Sequence, residues 1–186
     1  MGNCRYPSAG YGYAVPITLA NEAKDMTLQT PPIKPARFED GRTFTVAGLG
    51  ERYGQATLQQ IPTLWQRFEQ HIGRVPGQIG GETYGVCSNG DGQGNFDYIA
   101  GVRVQDTDSL PAGFQHVELK ARRYAVFEHH GSLDNLKATF QAIWKDWVPV
   151  SGETVANAPE FERYGQDFNP DDRNSVMEIW LPLESK

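Results

Sequence analysis

Apolar residues recur three and four apart at Leu58, Ile61, Trp65, Phe68 and Ile72, the period of a helix that lays one stripe on a sheet. Pro62 fits the first turn of that helix, and Gly73 with Pro76-Gly77 ends it. A second stripe runs through Leu133, Leu136, Phe140, Ile143, Trp144 and Trp147, with Ser132 as N-cap and Pro149 beyond its end. The stretches around the helices are rich in β-branched and aromatic residues and bounded by turn residues. They predict strands over 43–53, 82–88, 96–104, 114–119, 124–130, 161–165 and 175–183, with a shorter one near Arg37-Phe38. Gly48, Gly50 and Gly54 mark a bulge or a close backbone approach in the first long strand.

The order strand–helix–strand–strand therefore occurs twice. Glu82-Thr83-Tyr84-Gly85 returns as Glu162-Arg163-Tyr164-Gly165, and Asn89, Asp91 and Ile99 return as Asn169, Asp171 and Ile179, all at an offset of eighty. The helix stripes repeat at seventy-nine. Such spacing predicts a duplicated unit, with repeats at about 43–104 and 123–183. The expected class is α+β: one antiparallel sheet system with two helices on one side. It leaves a concave sheet face, or the seam between the halves, for a ligand.

Residues 1–35 lack sustained periodicity and read as an extended or loosely docked extension. Pro31-Pro32-Ile33-Lys34-Pro35 is a stiff entry to a domain spanning 36–186. The net charge of −6 argues against direct nucleic-acid binding and permits cationic partners. Two cysteines, Cys4 and Cys87, are too few for a disulfide framework and lack metal-ligand spacing, which favours a reducing compartment. With no membrane-length apolar run and no signal-peptide core, the expectation is a soluble, cytoplasmic chain.

Several chemistries find little support. Residues 89–95 are rich in glycine but lead into a strand, so they do not make a phosphate cradle. His129 and His130 are adjacent in a strand and point to opposite faces, which prevents them sharing a metal. No Gly-x-Ser-x-Gly occurs and no histidine is motif-linked to Cys87. We expect no metal, no cofactor and no assigned catalytic residue.

In the second half, Leu110-Pro-Ala-Gly, Tyr124-Ala-Val-Phe-Glu-His-His-Gly, Trp144-x-x-Trp147, Pro159-x-Phe-Glu-x-Tyr164 and Glu178-Ile-Trp-Leu-Pro182 follow one another in an order that resembles the GyrI-like effector-binding domain. This is the ligand module of many AraC-type and MerR-type regulators, and it also occurs alone. The resemblance covers roughly residues 36–183. It implies a tandem-repeat fold and a site between the repeats for bulky, hydrophobic and often cationic molecules, with a buried acidic residue at Glu162. The same resemblance admits a hydrolase in which Glu162 activates water, or a gyrase-inhibitor-like interaction module. A transcription regulator or DNA gyrase would then be a protein partner, and a homodimer is compatible. The 35 residues before the domain are expected to be too few and too poorly patterned to supply a helix-turn-helix.

Strand parity adds the walls. Tyr84 shares a face with Glu82, Tyr164 with Glu162, Tyr98 with Ala100, and Trp180 with Glu178. Ile99, Ile179 and Leu181 suit the face beneath the helices. The expected ligand contacts are thus Glu162, Tyr84, Tyr98, Trp180, Phe127 and Tyr164, whereas Trp65 and Trp144 are assigned to the core. A ligand cation ~4 Å from Glu162 would gain about 4 kcal/mol at an effective dielectric near 20, before desolvation. A ring face would add roughly 0.5–2 kcal/mol.

Overall fold

The computed structural model describes residues 32–170, 172 and 174–185. Most of the N-terminal extension lies outside these residues. So do Cys4 and Asp171 of the repeat. Cys87 is not a free thiol, which corrects the expectation of reduced cysteines.

Eight strands form one antiparallel sheet: β1 (Arg37–Gly41), β2 (Phe44–Tyr53), β3 (Gln78–Ser88), β4 (Phe96–Val104), β5 (Gln115–Leu119), β6 (Arg122–His130), β7 (Glu160–Tyr164) and β8 (Val176–Pro182). Their order is β1-β6-β8-β7-β3-β4-β2-β5, so the two halves meet where β3 pairs with β7. Helix α1 (Ile61–Glu69) follows β2, with Pro62 in its first turn, and helix α2 (Leu136–Ala142) follows β6. A short 3-10 turn leads into each helix, and α2 runs on into a wider π turn over Ile143–Trp147. The unit β2-α1-β3-β4 is thus repeated as β6-α2-β7-β8.

Side chains on one face of the sheet pack beneath the helices. Leu64 and Phe68 of α1 cover Tyr53, Tyr98, Ala100 and Val102, while Phe140, Ile143 and Trp147 cover Phe127, Tyr164, Ile179 and Leu181. Leu64, absent from the predicted stripe, is buried, whereas Ile72 lies beyond the helix end and is exposed.

The opposite face is enclosed by curling. Only Lys120 and Ala121 separate β5 from β6, yet these strands sit near opposite ends of the sheet order. A link that short brings the ends together. Leu119 of β5 and Tyr124 and Val126 of β6 accordingly join Val46, Tyr84, Val86, Ile99, Phe161 and Trp180 in a single buried cluster. The concave face anticipated as a ligand surface is therefore filled with core.

Curling also exposes an error in the repeat. Tyr84 belongs to this inner cluster and Tyr164 to the cluster under α2, so the two lie on opposite faces. Ile99 and Ile179 are likewise separated, which corrects the placing of Ile99 beneath the helices. The duplicated order of elements stands, but the eighty-residue match is not the spatial equivalence of the strands. Because alternation has a period of two, an offset of the wrong parity turns every side chain over.

The predicted glycine effect is a close approach. Gly48 stands opposite Gly101, and a Cβ on it would run into the Ala100 carbonyl. The bulge lies instead in β3, where the register shifts between Gln78 and Thr83 and Gly80 takes a φ of 76°. In the loop after β3, Asp91 Oδ1 accepts from the backbone N–H groups of Gln93 and Asn95, so its own carboxylate takes donors that a phosphate would need.

Candidate functional site

Glu162 sits in the middle of β7, at the junction of the halves and on the face that carries both helices. Its neighbour across the junction is Gly85 of β3. A side chain on Gly85 would collide with the Tyr98 hydroxyl and the Glu162 carboxylate, so the glycine clears the space in which those two meet. The Tyr98 hydroxyl donates to Glu162 Oε2 at 2.6 Å, and the Tyr164 hydroxyl donates to the same oxygen at 2.9 Å. Among the described residues no hydrogen bond falls on Oε1.

Trp65 completes the arrangement from above. It projects from α1, donates its indole N–H to the Tyr98 oxygen at 3.1 Å, and meets the Tyr164 ring edge-on with centroids 5.2 Å apart. An indole N–H only donates, and a phenol that accepts from it directs its own proton onward. The donors therefore run in one direction, from Trp65 through Tyr98 to Glu162, a polarised chain in a low-dielectric interior. Trp65 packs against both helix-side clusters and so spans the seam.

Glu162 is only 6% exposed. Burial raises its pKa above the ordinary carboxylate value, and the two phenol hydrogen bonds pull the other way by favouring the charged form. Tyr98 is pushed well above the usual phenol range, first by burial and then by the Glu162 charge, so it remains a donor. Among the described residues no lysine or arginine pairs with Glu162. The arginine beside it in sequence, Arg163, points to the other face and bonds Glu82 at 3.0 Å and Glu178 at 3.3 Å.

A small cavity opens beside the carboxylate, lined by Ile61 of α1, Phe140 of α2, Phe96, Tyr98, Phe161, and the β3 and β7 residues Gly85, Cys87, Glu160 and Glu162. About 20 Å³ is accessible to the centre of a water molecule, enough for a water and far too little for a drug-sized ligand. Its roof is the pair of helices and its floor the β3–β7 junction.

The expected contacts divide accordingly. Glu162, Tyr98 and Tyr164 are brought together. Phe127 lies on the same face but packs edge-on against Trp147 in the core under α2, away from the cavity lining. Tyr84 and Trp180 lie on the enclosed inner face. Phe161 and Trp180 stack there at 5.2 Å, while Trp180 donates to Glu178. Glu82 shares that inner face, where a backbone N–H donor and then Arg163 hold its carboxyl below the usual range. The sequence pattern misses two residues. Trp65 reads as core because it falls on the helix stripe, and its indole nitrogen is the signal of a polar task. Glu160 could have been found from parity, since it stands two residues before Glu162 on the same face.

A model described as the GyrI-like small molecule binding domain matches residues 35–184. The chain belongs to this family. Among relatives of the GyrI-like chain, the transcriptional regulator BrlR of Pseudomonas aeruginosa is 33% identical over 150 residues, which is 80% of this chain and 55% of that protein. The probable transcriptional regulator YgiV of Escherichia coli K12 is 40% identical over 69 residues, 37% of this chain and 42% of that one. The chain thus spans about half the length of the curated relatives it matches. The fold is shared with SAV2435, solved bound to tetraphenylphosphonium, at a TM-score of 0.66 and 24% identity over 80% of this chain and 93% of that one. The GyrI-like chain is therefore a small-molecule-binding domain with the curled sheet and paired helices of its relatives. Among the described residues no helix is long and apolar enough to cross a membrane.

Proposed function

We propose that this GyrI-like domain binds a lipophilic organic cation in the cavity between its halves, with Glu162 as the counter-charge. The observation that carries this reading is a buried carboxylate that receives two phenol donors and pairs with no cation of its own among the described residues. Two hydrogen bonds keep its charged form accessible, and a ligand cation would supply the charge that burial makes favourable. The rings of Tyr98, Tyr164 and Trp65 offer faces and edges around it. A relative of the same fold that holds tetraphenylphosphonium supports the chemical class.

The closed cavity sets a condition. A bulky ligand enters only when α1 and α2 separate, and Trp65, which bonds to one half and packs on the other, is the contact that yields. Part of the ligand's binding energy goes into that opening, and neutral isosteres lack the charge term that offsets it.

Thermal shifts for the wild type and Glu162→Gln against lipophilic cations and matched neutral compounds test the reading. The wild type responds to the cations and the variant loses most of that response. Equal shifts in the two proteins would remove Glu162 as counter-charge. Recovery of the ligands unchanged after incubation separates binding from hydrolysis by the same carboxylate.

A further inference from the structure

The cavity floor carries a second carboxylate. Glu160 precedes Glu162 by two positions on β7, shares its face, lines the same cavity and is 6% exposed. The donors are divided unevenly between them. Both phenols serve Glu162, while among the described residues Glu160 makes no hydrogen bond and no ion pair. Among the described residues the groups around it are Glu162 on its own strand, Cys87 opposite it on β3, Tyr98 on β4, Ile61 at the start of α1 and Phe140 on α2. None of these is a cation. A carboxyl so placed is kept protonated by burial and then by the Glu162 charge, which together raise it to about 8.

A buried acid without partners destabilises the fold when it ionises and contributes no packing that leucine or methionine would not. It does serve a ligand. We propose that the cavity takes a lipophilic dication, with one positive centre at Glu162 and the second at Glu160. This rests on the cation-binding reading above and adds the charge and spacing of the ligand. Residues two apart on a strand are separated by roughly 6.5–7 Å, which sets the distance between the two cationic centres. On binding, the Glu160 O–H bond breaks, its proton passes to solvent, and the carboxylate left behind pairs with the second cationic centre. A monocation occupies Glu162 and leaves the Glu160 proton in place.

The full chain is titrated calorimetrically at pH 7 with benzyl-capped bis(dimethylammonium) alkanes of graded spacer length. Matched monocations, in which carbon replaces one nitrogen, are titrated alongside. Each titration is repeated in two buffers of different ionisation enthalpy to count protons. The expected result is that the best-spaced dication binds at least about tenfold more tightly than its monocation isostere, as a desolvated charge pair allows. It also releases close to one proton per site more than the monocation does, since any proton lost from Glu162 is common to both. In Glu160→Gln the preference falls toward parity and the excess proton release disappears. Equal affinity for the two series, a preference that survives Glu160→Gln, or no excess proton release by the wild type overturns the inference. Should Glu160→Gln fail to fold, the wild-type proton count decides alone. If the monocations bind through Glu162 and the dications gain nothing, the cation reading stands and this one fails. If neither series binds, both fail.

Discussion

The Tyr98 hydroxyl, on β4 of the first half, donates to the Glu162 carboxylate on β7 of the second half at 2.6 Å. This bond ties the two repeats together at the point where the cavity opens. It also leaves Glu162 poised between burial, which favours the acid, and hydrogen bonding, which favours the carboxylate.

Removing the donor should move that balance. Tyr98→Phe deletes a hydrogen bond to a charged acceptor, worth about 1.5–3 kcal/mol, and leaves the Trp65 indole without its acceptor. The pH at which cation binding reaches half its full strength should shift upward, because a higher pH is then needed to ionise Glu162. Binding titrations across pH check this, and a midpoint that stays put or falls would contradict the assigned role of the phenol.

Gly85→Ala tests the geometry of the same contact. The added methyl group meets both the Tyr98 hydroxyl and Glu162, and backbone on the central strand cannot move away freely. The expected cost is about 1–3 kcal/mol of stability from overpacking, together with weakened ligand binding. Denaturant unfolding of the variant measures it. Wild-type stability combined with wild-type binding would mean that the clearance at Gly85 has no such purpose.

Glu160 makes a prediction about stability with a definite sign. Its folded pKa is about 8, against about 4.3 for an unfolded glutamate. Within that window the folded chain holds a proton that the unfolded chain has released. Raising the pH from about 4.3 to 8 therefore destabilises the fold progressively, while outside the window both states carry the same charge at this position. Glu160→Gln should flatten this slope and be the more stable protein at pH 8, by an amount on the order of a few kcal/mol. Unfolding free energies of both proteins at pH 5 and pH 8 check it, and parallel pH profiles would show that Glu160 is ionised in the fold.

The sequence disclosed the fold more readily than the site. Ile61, Trp65 and Phe68 against Phe140, Trp144 and Trp147 gave the helices and their pairing, because a stripe three and four apart has one physical meaning. The Phe-Glu-x-Tyr motif pointed to Glu162, and parity put Tyr164 on its face, where the Tyr164 hydroxyl bonds the carboxylate. Tyr84 and Trp180 fall on the enclosed face together with Glu82 and Glu178, because alternation says which residues share a strand face but not which face lies inside a curled sheet. The short Lys120-Ala121 link decides that, and its meaning depends on strand order, which is a long-range property. Trp65 was hidden for a related reason. A tryptophan on an apolar stripe looks the same whether its N–H meets water or, as here, the Tyr98 oxygen.

We propose Glu162 on the helix-side face, and not its sequence counterpart Glu82 on the inner face, as the charge that a ligand meets. Glu82→Gln alters a half-exposed ion pair with Arg163, worth roughly 0–1 kcal/mol. The most direct measurement is the dissociation constant of one lipophilic monocation at pH 7, determined by calorimetry for the wild type, Glu162→Gln and Glu82→Gln. Affinity is expected to be unchanged in Glu82→Gln and weakened at least about tenfold in Glu162→Gln. Equal affinity in the wild type and Glu162→Gln, or a loss that follows Glu82 instead, would contradict it.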